Sequence, residues 1–392
     1  MPLHCDIMRE RRNYLRTKLV AVVVAGLLTA PIAWAQEASV TLYGRINLDM
    51  EVVNGKQTGT GCPDHCPNPN VYRMNSNSSE FGMRGSEPLG GGYSAIFQIE
   101  NSIFPTLGRG VVTGRDSYVG FAGPPGTFKM GYFLGPYDDI LPIFGNVPTL
   151  TSSILSTASL WAQGFLGPPE NGGFDDRLRQ SIRYDTPTIS GFNAALQYAS
   201  YNDIVRPHSY AISTGAFYAN GPLQLGIAYE VHDKIRGTPT APLSDRALSV
   251  AGAYQFELAR IGVVYERLNY DATTSTQLKR NFFGVGATAD VGPGLLYLFV
   301  GRAGNGTGSA EDGTRLGGLT KGVNTGSTQW EASYTYVLSG RTLVYGGIVK
   351  IRNDSNAAYT FNHDPYPILC DTYPNGACGK PGGIVFGMAH FF

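Results

Sequence analysis

Residues 40–51 alternate between two kinds of side chain and read Val-Thr-Leu-Tyr-Gly-Arg-Ile-Asn-Leu-Asp-Met-Glu. Successive side chains of an extended chain point to opposite faces, so this pattern predicts a β-strand with one apolar and one polar face. A water-soluble sandwich would show the same alternation. The connections between such segments must therefore distinguish the two classes.

Similar segments recur along the whole chain, and no convincing amphipathic helix interrupts them. Together with the first segment they predict about sixteen strands. The others lie near 72–87, 91–103, 112–123, 126–135, 177–187, 190–201, 209–220, 222–232, 245–256, 258–270, 279–290, 294–303, 327–338, 341–352 and 383–392.

The connections alternate in length. One set is short and rich in Gly and Pro, as hairpin turns are: Pro88–Gly91, Gly123–Gly126, Asn220–Pro222, Gly292–Gly294 and Ser339–Arg341. The other set is long: 54–71, 136–176, 233–244, 303–326 and 353–382. This segregation predicts an all-β, transmembrane antiparallel barrel with short periplasmic turns and long external loops.

A sheet that spans lipid must close on itself, because an open edge would leave backbone groups without partners. About sixteen strands leave an aqueous lumen, so the polar faces are expected to meet water and the apolar faces lipid. The 23 Tyr and 19 Phe residues suit aromatic girdles at the two membrane interfaces.

The amino-acid composition excludes several classes of function. Lys plus Arg number 30 and Asp plus Glu also 30, so no basic excess exists to neutralise nucleic-acid phosphates. The 51 Gly residues exclude a helical coiled coil. We expect no metal, no cofactor and no enzymatic activity, because no HExxH, P-loop or Ser/His/acid pattern occurs. The stretch Gly284–Ala289 resembles a dinucleotide fingerprint but lies within an alternating segment.

The N-terminus predicts a signal peptide over residues 1–35. Basic residues precede the apolar run 19–29, and Ala33-Trp34-Ala35 forms a cleavage site. The alternative is an anchor helix, but the apolar run is short. The mature chain would be a single barrel domain over 36–392.

Four cysteines remain after this cleavage, which is an even number in an oxidising compartment. All of them fall in predicted external loops. Local disulfides within each loop are the simplest pairing. Disulfides between the first and last loops remain an alternative, and a metal site is another. The residues are Cys62, Cys66, Cys370 and Cys378.

The connection 136–176 is the strongest functional feature, because loops beyond roughly fifteen residues are usually functional. It is rich in apolar residues, among them Phe144 and Trp161. We expect it to fold into the lumen and narrow it; an external cap or partner-binding loop is the alternative. Its first acids, Asp138 and Asp139, would then line a constriction.

Charged residues of the strands would form the opposite wall. Arg177, Arg179 and Arg183 share one parity, and an apolar-out orientation turns all three inward, because an arginine in the lipid costs roughly 2–4 kcal/mol at mid-depth. The same argument turns Arg45 inward. Glu80 and Arg84 share one face of the next strand.

The sequence resembles the general porins of Gram-negative outer membranes. The matching stretches are 40–47 (VTLYGRIN), 79–92 (SEFGMRGSEPLGGG), 114–131 (GRDSYVGFAGPPGTFKMG), 177–197 (RLRQSIRYDTPTISGFNAALQ) and 387–392 (GMAHFF). The resemblance implies a sixteen-stranded homotrimer, with a third loop whose acids face an arginine cluster. Glu80 and Tyr132 stand where the family commonly carries Arg.

These patterns predict an outer-membrane porin that lets small hydrophilic solutes and ions diffuse passively. The two departures from the basic cluster favour weak ion selectivity that leans toward cations. The alternative is a substrate-selective channel with a more apolar eyelet, suggested by the apolar loop. Expected partners are outer-membrane lipid, lipopolysaccharide and the other subunits of the trimer, and no nucleic acid.

Overall fold

The computed structural model describes residues 38–57, 70–146, 153–162, 173–202, 208–362 and 379–392. The predicted signal peptide and the four cysteines lie outside these residues. The strands are β1 (Ser39–Gln57), β2 (Val71–Ser76), β3 (Glu80–Gly90), β4 (Tyr93–Phe104), β5 (Arg109–Val111), β6 (Ser117–Gly123), β7 (Gly126–Leu134), β8 (Arg177–Asp185), β9 (Phe192–Ser200), β10 (Tyr210–Asn220), β11 (Leu223–Thr238), β12 (Ala241–Gln255), β13 (Ala259–Asp271), β14 (Gln277–Val291), β15 (Gly294–Ala303), β16 (Arg315–Leu316), β17 (Leu319–Thr320), β18 (Ser327–Ser339), β19 (Thr342–Asn353) and β20 (Gly379–Phe391).

The helical segments among the described residues are short. Three are single 3-10 turns, and α1 is a four-residue α-helix. Among the described residues no helix has the length and apolarity needed to span a membrane. The 3-10 turns are Pro105–Leu107, Asp138–Ile140 and Thr157–Ser159, and α1 is Leu141–Phe144.

The strands close into a barrel through antiparallel pairs. β1 pairs with β20 from Arg45↔Phe391 to Gln57↔Gly379, and on its other edge with β2 and β3. β2 and β3 share that edge and form one crossing, and β5 and β6 both pair with β4 as parts of another. Leaving out the small hairpin β16–β17, the described residues form a wall of sixteen crossings, which confirms the predicted fold class.

The predicted hairpin turns are confirmed: in each of the five, one strand ends and the next begins within the quoted Gly/Pro-rich stretch or beside it. The prediction of one long connection is wrong. Residues 233–244 are mostly strand, because β11 continues to Thr238 and β12 starts at Ala241. Within β11, the pairing with β12 is interrupted by a bulge between His232 and Arg236. Lys234 adopts a left-handed φ of 58° there, so the hairpin bends while it continues beyond the wall.

The outer surface is apolar along the strands. Leu42, Met50 and Phe386, each at least 60% exposed, are typical of the face that would lie against lipid. Exposed aromatic rings gather beside the short turns, as expected of an interfacial girdle. They include Tyr93, Phe192, Tyr254, Phe256, Tyr336, Phe391 and Phe392.

The lumen corrects one prediction. On much of the wall the inward face does not meet water but packs against the described parts of the connection 136–176, which we call the inward loop. Tyr137, Phe144 and Trp161 of this loop are 0–1% exposed and join an apolar cluster with wall residues such as Tyr297 and Phe299. Aromatic and small side chains alternate with outward residues there because their inward partner is protein.

Candidate pore constriction

Wall side chains hold the inward loop by its main chain. The Glu51 carboxylate on β1 accepts a hydrogen bond from the amide of Ile154 at 3.2 Å. The side-chain oxygen of Asn77 accepts one from the amide of Ser153 at 3.0 Å. A loop cannot be buried with unpaired amides, so these bonds make an inward position possible.

Glu266 on β13 anchors the loop at two places. Its Oε1 accepts hydrogen bonds from the Tyr137 hydroxyl and from the Ala162 amide, both at 2.8 Å. Its Oε2 forms an ion pair with Arg280, whose guanidinium also donates to the Leu160 carbonyl. One buried acid–base pair thus fixes two stretches of the loop that are distant in sequence.

Glycines on the inward face give α1 its room. A β-carbon at Gly226 would stand 2.6 Å from Cδ1 of Ile143, and one at Gly262 would stand 2.8 Å from Cα of Phe144. Gly286 lies against the carbonyl oxygen of Phe144. The alternation of these glycines with outward side chains on β11, β13 and β14 was the signal that an inward segment lies against them.

A ladder of charged side chains lines the part of the wall near β1, β3 and β4. Arg45 contacts Glu80 at 3.3 Å, and Glu80 also contacts Arg115 at 2.7 Å. Arg115 reaches Glu100 on β4, which accepts a hydrogen bond from the Tyr43 hydroxyl at 2.8 Å. Arg45 and Glu80 are therefore neighbours within one network.

The ladder continues toward β8. Arg177 contacts Asp116 at 2.6 Å. Arg183 binds Asp139 at 2.6 Å and Asp185 at 2.7 Å. Lys129 lies 3.6 Å from Asp185 and over the rings of Tyr118 and Phe133. We call the charged residues from Arg45 round to Arg183 the polar lane.

The common face expected of the β8 arginines is broken. Gln180 has a left-handed φ of 49°, and the pairing with β7 shifts register between Gly131 and Phe133. Leu178, predicted to point outward, is therefore fully buried. Arg179 lies over the Tyr201 ring at 4.7 Å. The alternation of residue numbers predicts which way a side chain faces only as far as the strand stays regular.

The remaining predicted residues are Arg84 on β3 and Tyr132 on β7. Arg84 is exposed, shares the inward parity of Gly82 and lies 5.1 Å from the Tyr43 ring centroid. Tyr132 pairs with Ser117 on β6 and lies at the register shift.

Asp138 and Asp139 begin the inward loop, in the 3-10 turn that follows β7. Asp139 contacts Arg183 directly, so these charges neutralise each other locally and do not face each other across water. Burial, and then the neighbouring Asp139, raise the pKa of Asp138 to about 8, while Arg177 opposes the shift. Burial likewise raises the pKa of Asp139, with Arg183 opposing.

Sequence reasoning missed several members of the lane. Arg115 and Asp116 were placed inside a strand, but they lie in the break between β5 and β6, where the chain is free to turn both toward other strands. Lys129 shares a parity with Gly131 that would have placed it inward. Asp185, its partner, ends β8.

The family model for the Gram-negative porin matches residues 20–356. Outer membrane porin protein 32 of Delftia acidovorans is 27% identical over 350 residues, covering 86% of this chain and 90% of that protein. An outer membrane porin protein of Bordetella pertussis is 27% identical over 380 residues, covering 84% of this chain and 92% of that protein.

Solved structures share the fold. The anion-selective porin from Comamonas acidovorans superposes with a TM-score of 0.72 at 22% identity, covering 91% of this chain and all of that one. The trimer form of OmpT from Vibrio cholerae gives 0.64 at 14% identity, covering 91% and 100%. At these identities the likeness is one of architecture.

Proposed function

We propose, from the premise that the chain belongs to the Gram-negative porin family and forms an outer-membrane channel, that solutes cross it along the polar lane. The described parts of the inward loop lie against the wall from about β11 round to β1, where their backbone and side chains bond Ser249, Glu266, Gln329 and Glu51. The arc from β3 to β8 carries charged side chains with partial exposure. A hydrophilic path needs such an arc.

Burial of the apolar loop residues carries this proposal. Trp161 stacks on Tyr137 at 5.5 Å, donates its indole N–H to Ser249 at 3.1 Å and is fully buried. Its ring therefore faces the wall and not a solute. This favours passive diffusion of small hydrophilic solutes and ions over the alternative of an apolar, substrate-selective eyelet. The proposal assigns the chain no catalytic role.

The lane contains almost balanced charge. Its cations Arg45, Arg115, Arg177, Arg183 and Lys129 each have a carboxylate within 3.6 Å. Paired charges present little net field to an ion, so we expect weak ion selectivity. The direction is set by the charges outside these pairs, chiefly the cation Arg84 and the titratable acid Asp138.

Conductance of the purified protein in planar bilayers tests the proposal. We expect open-channel currents and uptake of small neutral sugars without saturation. In a salt gradient, Asp138→Asn combined with Asp139→Asn should move the zero-current potential toward anions, because Arg183 loses one counter-charge. Glu87→Gln, which shares the outward parity of Met83 on β3, is the matched control. Unchanged selectivity and conductance in the double variant would show that the loop does not line the path.

The proposal includes the assembly and maturation of the chain. A homotrimer in contact with outer-membrane lipid and lipopolysaccharide fits the apolar outer surface, and one similar fold was solved in a trimer form. Cleavage after Ala35 and disulfides among Cys62, Cys66, Cys370 and Cys378 are part of the same proposal. N-terminal sequencing and thiol alkylation without reductant test these two steps.

A further inference from the structure

A recess of about 390 Å³ opens at the short-turn end of the barrel, separate from the polar lane. Pro142 of α1 forms one side. Wall residues at the ends of β11 to β15 form the rest: Gln224, Gln255, Leu258, Ala259, Arg260, Thr288, Asp290 and Leu295. Its volume lies within the range of small-molecule sites, about 300–1,000 Å³.

The recess presents one cation and one anion. Arg260 and Asp290 both line it, and among the described residues neither takes part in an ion pair. Arg260 pairs in register with Thr288, and Asp290 is the next residue on the same face of β14. Diagonal neighbours on paired strands lie about 7–8 Å apart, so Arg260 and Asp290 stand close together on one face of the wall.

Arg260 is held in place by the loop. One of its terminal nitrogens donates to the carbonyl of Ile143 at 2.7 Å and to the side-chain oxygen of Gln224 at 2.7 Å. This fixes the guanidinium beside the recess and leaves its other N–H groups to bind. Leu258, 83% exposed, and Leu295 add an apolar surface to the lining.

We infer that this recess is a second solute site, which binds a small zwitterion with a carboxylate near Arg260 and an ammonium near Asp290. The short-turn end faces the periplasm, so the site would be reached from that side. A bound zwitterion would sit beneath α1, beside the exit of the path, and would reduce the current without entering the lane.

Alanyl-alanine is a suitable probe, because it carries both charges and small apolar groups. Added to either side of single channels, it should produce saturable partial blocks from one side only. Asp290→Asn should weaken this block about threefold to fivefold, as expected for an exposed ion pair. N-acetyl-alanyl-alanine, which lacks the ammonium, should block the wild type and the Asp290→Asn variant with equal strength. Glu257→Gln, an acid in the adjacent turn outside the recess, is the control.

Saturation-transfer NMR of the same dipeptide with the detergent-solubilised protein measures binding without conductance. Signal in wild type and Glu257→Gln that is reduced in Asp290→Asn would support the site. Equal signals in all three proteins, or blocks of equal strength from both sides, would overturn it. Absent ionic currents would instead contradict the proposed channel, and the NMR result would still decide the inference.

Discussion

Gly262 on β13 lies directly against Phe144 of the inward loop, and a β-carbon at position 262 would stand 2.8 Å from the Phe144 Cα. Backbone cannot yield as the end of a flexible side chain does. The position of α1 in the lumen therefore requires a residue without a β-carbon at position 262 of the wall.

Gly262→Ala should displace α1, lower the unfolding free energy by about 1–3 kcal/mol and change the single-channel conductance. Gly346→Ala is the matched control, because a β-carbon there would meet its nearest atom at 3.4 Å. Denaturant titration in lipid vesicles and bilayer recording measure the two effects. If both variants behave alike, the contact with Phe144 does not position the loop.

Two buried carboxylates of the wall should respond differently to neutralisation. Glu266→Gln leaves the fully buried Arg280 without its counter-charge and should cost about 3–5 kcal/mol of unfolding free energy. Glu331→Gln should cost less than about 1 kcal/mol, because its partners Asn146 and Ser333 are neutral donors that an amide oxygen also satisfies. Equal losses in denaturant titrations would contradict this account.

Selectivity should depend on pH through Asp138. Its pKa of about 8 means that its carboxyl loses a proton between about pH 6 and about pH 9, so the lumen gains negative charge as the pH rises. The zero-current potential should therefore move toward cations over this range. Asp138→Asn should flatten the curve, whereas Asp312→Asn, in an external loop, should retain it. A flat wild-type curve would exclude Asp138 from the path.

The raised pKa of Asp138 also makes the unfolding free energy depend on pH. The folded-state pKa of Asp138 lies above its ordinary value near 4, so the folded chain holds this proton more tightly than the unfolded chain. The contribution of Asp138 to the unfolding free energy should fall as the pH rises from about 4 to about 8.

Arg84 should control the path more than the paired arginines do. It is exposed on the inward face and contacts the Tyr43 ring, while among the described residues no carboxylate pairs with it. Arg84→Gln should move the zero-current potential toward cations. Arg352→Gln, on the outward face of β19, should leave it unchanged. Salt-gradient measurements on both variants decide whether Arg84 meets passing ions.

The sequence by itself determined the barrel, because period-two alternation and the difference between short and long connections are local properties of the chain. The alternation at 40–51 and the turn at Gly123–Gly126 needed no distant contact to be interpreted. Only the tertiary structure decided the lumen. Glu80 pairs with Arg115, and Phe144 packs on Gly262 and Gly286, so both contacts join residues distant in sequence. The bulge at Gln180, where the pairing of β8 with β7 shifts register, turns Leu178 inward. A charged or glycine residue looks the same in the sequence whether it faces water, an ion or a loop, and only the closed barrel brings its partner to it.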